Sequence, residues 1–137
     1  MAGIYIHIPF CKQACHYCDF HFSTNTRLKA PMLQAIAKEL RVRKEYMGAV
    51  QVKSIYLGGG TPSLLEVTAL ETLLILIAQH FSLSDVMEIT LEANPDDITL
   101  TKLQSLRAVG INRLSIGVQS FQDSVLRYLN RVHDSQK

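Results

Sequence analysis

The chain has 137 residues, of which 47% are hydrophobic, and a formal net charge of +2. This length suits one domain with an apolar core, and the charge is too small to indicate a nucleic-acid or membrane partner. The start of the chain lacks a positively charged segment and the longest apolar run, residues 73–78, is far too short to cross a bilayer, so we expect no secretory signal and no transmembrane segment.

The first half of the chain predicts two strands that flank a loop and a helix. Residues 3–8 alternate and are rich in Ile and Tyr, which indicates a strand that Pro9 ends. Residues 11–25 show little periodicity and predict a long loop. Apolar residues at helical spacing predict a helix over 28–46, and residues 52–57 predict a second strand that is broken by three glycines.

The second half continues the same alternation of helices and strands. The predicted helices cover residues 64–81, 99–109 and 122–129. The predicted strands cover residues 87–92 and 112–118. For the middle helix, we expect a cap from Thr99 or Thr101 at its start and from Gly110 after its end.

Strand and helix therefore alternate four times along the chain. This alternation favours an α/β fold with a parallel sheet and right-handed crossovers. Four units are half of an eight-fold barrel and fall short of a six-fold one, and a sheet that stops there leaves an open edge. We expect residues 1–137 to be the N-terminal part of a truncated, TIM-like partial barrel, with the rest of the barrel and a C-terminal domain absent. A complete small flavodoxin-like domain is the competing interpretation.

Each predicted strand ends in residues with distinctive chemistry. The first leads into residues 11–18, which hold all the cysteines, and the second leads into the Gly-Gly-Gly-Thr-Pro run at 58–62. The third delivers Glu92 and Asn94, and the fourth delivers Gln119. The carboxyl ends of parallel strands meet at one edge of a sheet, so we expect a single site there.

Cys11, Cys15 and Cys18 form a C-x3-C-x2-C motif. Thiolates suit iron–sulfur centres and zinc. Because a cluster normally takes four cysteines, three ligands on a cubane leave one iron open to a substrate. The alternative is a zinc site completed by His16, His21 or a distant histidine, although zinc sites usually have a second cysteine pair. Three cysteines cannot pair without leaving one over, so we expect a reduced, cytoplasmic location.

The other residues at the strand ends can each be interpreted in two ways, as part of a binding site or as part of the local structure. Glycines let the backbone approach a ligand, and because no Lys-Ser or Lys-Thr follows residues 58–60, a phosphate loop is not indicated; a plain tight turn is the alternative. A carboxylate such as Glu92 at the end of an apolar strand needs an ammonium or hydroxyl partner, or a salt bridge to Arg113 or Lys53. Gln119 has the alternative of bonding the backbone at the strand end.

Three segments carry a resemblance to a known family. They are Tyr-Ile-His-Ile-Pro-Phe-Cys at 5–11, Gly-Gly-Gly-Thr-Pro at 58–62 and Arg-Leu-Ser-Ile-Gly-Val-Gln-Ser-Phe at 113–121. Together with the cysteine motif, they resemble the radical-SAM family, and within it the oxygen-independent coproporphyrinogen III oxidases. The resemblance implies a radical-SAM partial barrel and a [4Fe–4S] cluster whose open iron binds S-adenosylmethionine. In that family, electron transfer cleaves the sulfonium and yields a 5′-deoxyadenosyl radical.

The resemblance also implies roles for single residues. The cluster ligands would be Cys11, Cys15 and Cys18. The residues that would contact S-adenosylmethionine are Tyr5, Tyr17, Gly59, Gly60, Thr61 and Glu92, with Gln119 and Arg131 at positions around a second such molecule.

Two departures separate this chain from the oxidases. The oxidases have a further cysteine two residues after the third, where this chain has Phe20, and they have a longer segment before the first strand. Both departures match the branch described as heme chaperones. That branch keeps the cluster and the S-adenosylmethionine site but lacks the oxidase activity.

The heme chaperone branch implies heme as cargo, passed on to heme-accepting proteins that include acceptors at the membrane surface. It also implies an electron donor for the cluster and no nucleic acid. The histidines of the sequence do not identify a heme ligand. The alternatives are an oxygen-independent coproporphyrinogen III dehydrogenase, which is an enzyme, and a zinc-binding structural module.

Overall fold

The computed structural model describes residues 2–46, 48 and 50–137. In these residues four strands alternate with four α-helices. The strands are β1 (Ala2–Ile8), β2 (Val52–Gly59), β3 (Glu88–Ala93) and β4 (Arg113–Ile116). The helices are α1 (Lys29–Val42), α2 (Val67–His80), α3 (Leu100–Ala108) and α4 (Asp123–Tyr128). Short 3-10 turns span Thr26–Leu28, Pro62–Leu64 and Pro95–Asp97.

The strands form one parallel sheet in the order β1-β2-β3-β4. Each strand therefore lies beside the next strand along the chain, as it does in a barrel. A doubly wound, flavodoxin-like sheet would reverse its strand order. The predicted parallel α/β fold of a partial barrel is confirmed, and the strand order contradicts the flavodoxin-like interpretation.

The hydrophobic core lies on one face of this sheet. Successive strand residues point to opposite faces, so Ile6 and Ile8 of β1 are buried while the preceding Tyr5 is exposed. The first three helices cover the buried face, and α2 contributes Leu70, Leu74 and Ile77 to it. Within the described part of the chain, no helix has both the length and the apolar composition needed to cross a bilayer.

The other face of the sheet is polar. It carries aromatic and charged side chains, among them Tyr5, Tyr56 and Glu92. An exposed ion pair joins Arg113 to Glu88 at 2.8 Å on the same face. The sheet is thus apolar towards its helices and polar on the side that adjoins the strand ends.

Four predicted boundaries differ from the structure by two or more residues. Helix α2 begins at Val67 instead of residue 64, because Pro62–Leu64 form a 3-10 turn. Helix α1 ends at Val42 instead of residue 46, and the turn that follows is exposed, with Tyr46 81% accessible. Strand β2 continues through Gly59, because the glycine backbone still pairs with β1 up to Ile8. Strand β4 is shorter than predicted, because β3, its one partner among the described residues, ends at Ala93 opposite Ile116.

Candidate functional site

A cavity of about 260 Å³ lies at the carboxyl ends of the strands. The loops that follow all four strands contribute to its wall, as the parallel sheet predicts. The predicted site residues on the wall are Cys11, Cys15, Tyr17, Cys18, Gly59, Gly60, Thr61, Glu92, Gln119 and Arg131. The structure therefore brings together every predicted site residue except Tyr5.

Tyr5 lies on the polar face of β1, outside the cavity wall, and is 58% exposed. Its hydroxyl lies 2.9 Å from Nδ1 of His7, and Nε2 of His7 lies 3.2 Å from the carbonyl of His21. Because a carbonyl only accepts hydrogen bonds, Nε2 carries the ring proton and Nδ1 accepts from Tyr5. The hydroxyl of Tyr5 is thus engaged with a neighbouring side chain.

The cysteine loop is closed at its base by two backbone hydrogen bonds. The amide of Cys11 donates to the carbonyl of Ser23 at 3.0 Å, and the amide of Ser23 donates to Pro9 at 2.6 Å. A tight turn, in which Cys18 donates to the carbonyl of Cys15 at 3.2 Å, folds the third cysteine back towards the first. All three thiols are free and partly buried.

Gly60 lets the loop after β2 approach the first cysteine. A Cβ at this position would lie 2.8 Å from the carbonyl oxygen of Phe10 and 3.0 Å from Sγ of Cys11, closer than a side chain tolerates. The next residue, Thr61, donates its amide to Phe10 at 2.7 Å, and its hydroxyl lies 3.5 Å from Sγ of Cys11. The glycine is therefore required by the close contact between the two loops.

Burial raises the pKa of the Cys11 thiol. The Thr61 hydroxyl acts in the opposite direction, and the sulfurs of Cys18 and Cys15 add to the rise, because like charges disfavour one another. Binding a metal centre at this thiol requires the loss of its proton.

Arg131 places a guanidinium on the cavity wall. Its Nη2 donates to Oδ1 of Asn94 at 2.9 Å and to the carbonyl of Gly117 at 2.7 Å. Its Nη1 lies 3.2 Å from the hydroxyl of Tyr17 and 3.6 Å from Sγ of Cys15. Nε is buried and has no hydrogen-bond partner among the described residues. The positive charge is fixed beside the second cysteine.

Glu92 is held at the end of β3 by two donors. The hydroxyl of Tyr56 donates to Oε1 at 2.7 Å, and the amide of Gly59 donates to Oε2 at 3.0 Å. The carboxylate lies on the cavity wall. It is therefore oriented without a cation and has lone pairs left for a ligand.

Neither of the predicted salt bridges to Glu92 forms. Arg113 pairs with Glu88 at 2.8 Å, and Lys53 pairs with Asp85 at 3.1 Å. Both pairs lie towards the amino ends of the strands, away from the cavity. A salt bridge from Glu92 to Arg113 or Lys53 is thus contradicted, because both cations pair with other carboxylates.

Gln119 lies on the cavity wall with its backbone in the left-handed region, at φ 64°. This conformation is uncommon for a residue other than glycine. The predicted alternative, a side-chain bond to the backbone at the strand end, is not formed within the described part of the chain. The amide of Gln119 is exposed at the mouth of the cavity.

Two residues that fix the cysteine loop, one within it and one outside it, were missed from the sequence. Lys12 forms ion pairs with Asp96 and Asp97, and Asn130 donates to the carbonyl of Ala14 at 2.7 Å. A lysine between two cysteines carries no signal in the sequence. Asn130 does carry one, because an asparagine just after a helix is typical of a left-handed C-terminal cap, and its φ is 57°.

Three thiols that border one cavity have the chemistry of iron–sulfur ligands. Over residues 2–46, 48 and 50–137, no three His, Cys, Asp or Glu side chains converge on a position for one ion. Nδ1 of His16, a predicted zinc ligand, donates to the carbonyl of Tyr128 at 2.7 Å, so only its Nε2 is available to a metal. A cubane is larger than one ion, and three soft thiols around a common cavity suit it.

Comparison with known proteins identifies the family. Residues 5–137 match the model of the Radical SAM superfamily. The heme chaperone HemW of Bacillus subtilis (strain 168) is 41% identical over 135 residues, which cover 97% of this chain and 36% of that protein. HemW of Escherichia coli (strain K12) is 40% identical over 138 residues, which cover 98% of this chain and 36% of that protein.

A solved structure agrees with the sequence comparison. The coproporphyrinogen III oxidase HemN of Escherichia coli, described as a radical SAM enzyme, matches with a TM-score of 0.87 and 36% identity over 98% of this chain and 31% of its own. The chain spans about a third of the length of the curated relatives that it matches. Because the family match covers all but the first four residues, the chain belongs to the radical SAM superfamily.

Proposed function

We propose that this protein binds a [4Fe–4S] cluster through Cys11, Cys15 and Cys18, and S-adenosylmethionine in the adjoining cavity. Radical SAM proteins generally use both groups. The observation that carries the proposal is that three free thiols share one cavity with the residues predicted to contact S-adenosylmethionine. Within these 137 residues there is no other cysteine that could be a fourth thiolate ligand.

The residues around the cavity suit this pair of groups. When bound, the cluster supplies an electron and an open iron for the amino acid part of S-adenosylmethionine. The Thr61 hydroxyl and the Arg131 guanidinium lie beside the first and second sulfurs, where a donor and a positive charge stabilise thiolates. Glu92 accepts hydrogen bonds from an ammonium or a ribose hydroxyl, and Gly60 lets the loop after β2 lie against the first cysteine.

We further propose that the protein is a heme chaperone that binds heme and transfers it to acceptor proteins. Two relatives of that name are 41% and 40% identical to this chain. Phe20, which is 73% exposed on the cavity wall, stands where the oxidases have a further cysteine. An apolar ring at the mouth of the cavity suits contact with a porphyrin. Unlike the cysteine of the oxidases, it has no thiol for a redox step.

The partners that this function requires are heme-accepting proteins and an electron donor for the cluster. Acceptors at the membrane surface are compatible with it. We also propose a reduced, cytoplasmic location, because three cysteines cannot pair without leaving one over.

Anaerobic reconstitution of the full-length protein tests the cluster. We expect about four iron and four sulfide per chain and, after reduction with dithionite, an electron paramagnetic resonance spectrum that changes when S-adenosylmethionine is added. Cys15→Ser is expected to lose most of the iron, and Ser54→Ala, on the distant part of β2, is expected to keep it. Zinc without iron or sulfide would instead support a zinc-binding structural module.

A second candidate function is that of an oxygen-independent coproporphyrinogen III dehydrogenase. The match to the HemN structure favours it. The two functions separate when the reconstituted protein is given coproporphyrinogen III, S-adenosylmethionine and a reductant, and in parallel is titrated with hemin. We expect hemin binding, seen by absorbance, and no protoporphyrinogen; robust protoporphyrinogen formation would overturn the chaperone proposal.

A further inference from the structure

The segment between the cysteines rests on the turn that follows α4. The backbone amide of His16 donates to the carbonyl of Leu129 at 3.2 Å, and its ring Nδ1 donates to the carbonyl of Tyr128 at 2.7 Å. These two carbonyls belong to the end of the helix, where carbonyl groups lack helical partners. The cysteine segment therefore satisfies acceptors that α4 leaves free.

Asn130 makes two hydrogen bonds to the same segment, one through its side chain and one through its backbone. Its side-chain Nδ2 donates to the carbonyl of Ala14 at 2.7 Å, and its backbone carbonyl accepts from the side-chain amide of Gln13. Both bonds depend on the left-handed backbone of Asn130, at φ 57°, which turns the chain away from the helix axis.

The turn itself is fixed by a Schellman pattern of hydrogen bonds. The amide of Asn130 donates to the carbonyl of Arg127 at 3.0 Å, and the amide of Arg131 donates to Leu126 at 2.9 Å. Leu126 is 1% exposed, so the end of the helix is anchored in the interior. The turn is therefore a firm support for the cysteine segment.

Arg131 completes the contact from the other side of the turn. Its guanidinium is oriented by Asn94 and Gly117, and it reaches both Sγ of Cys15 and the hydroxyl of Tyr17. Each of the five residues 13–17 therefore bonds to one of the four residues 128–131, across 112 to 117 positions of sequence.

We propose that the turn at residues 128–131 is a positioning element that shapes the cysteine segment before the cluster binds, and that Asn130 is its central residue. This inference rests on the proposed function, since it assigns the turn to the cluster. A ligand loop that is already ordered loses less conformational entropy on binding. Loss of the Asn130 side-chain bond therefore weakens the cluster more than it weakens the fold.

The test compares two Asn130 variants with a matched control in the full-length protein. Asn130→Asp keeps the size and the tolerance of a left-handed backbone but loses the Nδ2 donor, and Asn130→Gly keeps the backbone without adding charge. The control is Asn112→Asp. Asn112 also donates through Nδ2, to the carbonyl of Met87 at 3.0 Å, but at the amino end of β4.

Three quantities are measured for each variant. They are the rate at which an iron chelator removes the reconstituted cluster, the melting temperature of the cluster-free protein, and the rate of hydrogen exchange at the His16 amide. From the net strength of one hydrogen bond, we expect chelation and exchange to be roughly two- to ten-fold faster in both Asn130 variants. In the Asn112→Asp control, we expect the melting temperature to fall about as far as in the Asn130 variants. The rates of chelation and of hydrogen exchange should stay at the wild-type values.

Equal cluster retention in both Asn130 variants and the wild type would overturn the inference. So would equally fast cluster loss in the Asn112 control at the same melting temperature, since the turn would then act only through overall stability. If the wild-type protein assembles no cluster, the proposed function fails, and unchanged exchange at His16 in the Asn130 variants would overturn the positioning role separately.

Discussion

The Glu92 carboxylate shows what one half-buried charge requires of its neighbours. From the sequence it needs a partner, and both cations that were candidates prove to be engaged elsewhere. Its two donors are instead the hydroxyl of Tyr56 and the amide of Gly59, which share the polar face of the sheet with it. Which donor is nearest depends on the register of β2 against β3, in which Tyr56 is paired with Thr90.

The pKa of Tyr56 is raised, first because its hydroxyl donates to Glu92 and second because of burial. A raised folded-state pKa means that the stability from this bond is complete below the ordinary value of about 10 and is lost as the pH rises through the folded-state pKa. In Glu92→Gln we expect the pKa of Tyr56 to fall towards its ordinary value.

Phenolate absorbance measures this change when the titration of Tyr56→Phe is subtracted from that of the parent protein. The subtraction is needed because the chain has five tyrosines and the pKa of Tyr5 is raised as well. The same subtraction in the Glu92→Gln background gives the second pKa. An unchanged value would contradict the role of the hydrogen bond.

Helix α3 shows how an element obtains its boundaries. The sequence left Thr99 and Thr101 as alternative caps, and the structure selects Thr99, whose hydroxyl accepts from the amide of Lys102 at 3.2 Å. At the other end, Gly110 follows the helix at φ 103° and donates to Arg107 at 3.1 Å, as a C-terminal glycine does. Both ends of the helix are thus closed by local hydrogen bonds.

We expect Thr99→Ala to lower the free energy of unfolding by about 1 kcal/mol, because an amide at the start of α3 loses its acceptor. Thr101→Ala, which removes an exposed hydroxyl from the same helix, serves as the control and should change it by less than about 0.5 kcal/mol. Urea unfolding followed by circular dichroism measures both. Equal losses would show that Thr99 does not act as the cap.

Across the whole molecule, stability depends on one apolar layer between the sheet and its helices. Ile55, Leu57 and Leu91 of the two central strands are fully buried in this layer, together with Leu70 and Ile77 of α2. The opposite face of the sheet remains polar. The polar residues of the site can therefore occupy the polar face and the strand ends without weakening the apolar core on the opposite face.

Two isoleucines of α2 test this division. Ile77 is 0% exposed and Ile75 is 53% exposed. We expect Ile77→Ala to reduce the free energy of unfolding by about 2–5 kcal/mol, because it leaves a cavity in the core. The matched change Ile75→Ala should stay within about 0.5 kcal/mol. Urea titrations of both variants give the difference, and similar losses would contradict the assignment of the core to this face.

The sequence by itself determined the order of the elements, the apolar face of α2 and the grouping of the site residues at the strand ends. These follow from local properties, namely the spacing of apolar residues and the direction of parallel strands. The ends of α1 and β4 were less predictable. A helix with an exposed last turn and a strand with one neighbour both end where packing and pairing stop.

Only the tertiary structure decided the strand order, the donors that hold Glu92, the position of Tyr5 outside the cavity and the support of the cysteine segment by residues 128–131. Each of these depends on groups that are far apart in sequence: Glu92 is 36 positions from Tyr56, and Asn130 is 116 from Ala14. Local patterns do not encode such contacts, because they form only when the packed sheet brings distant loops to one edge.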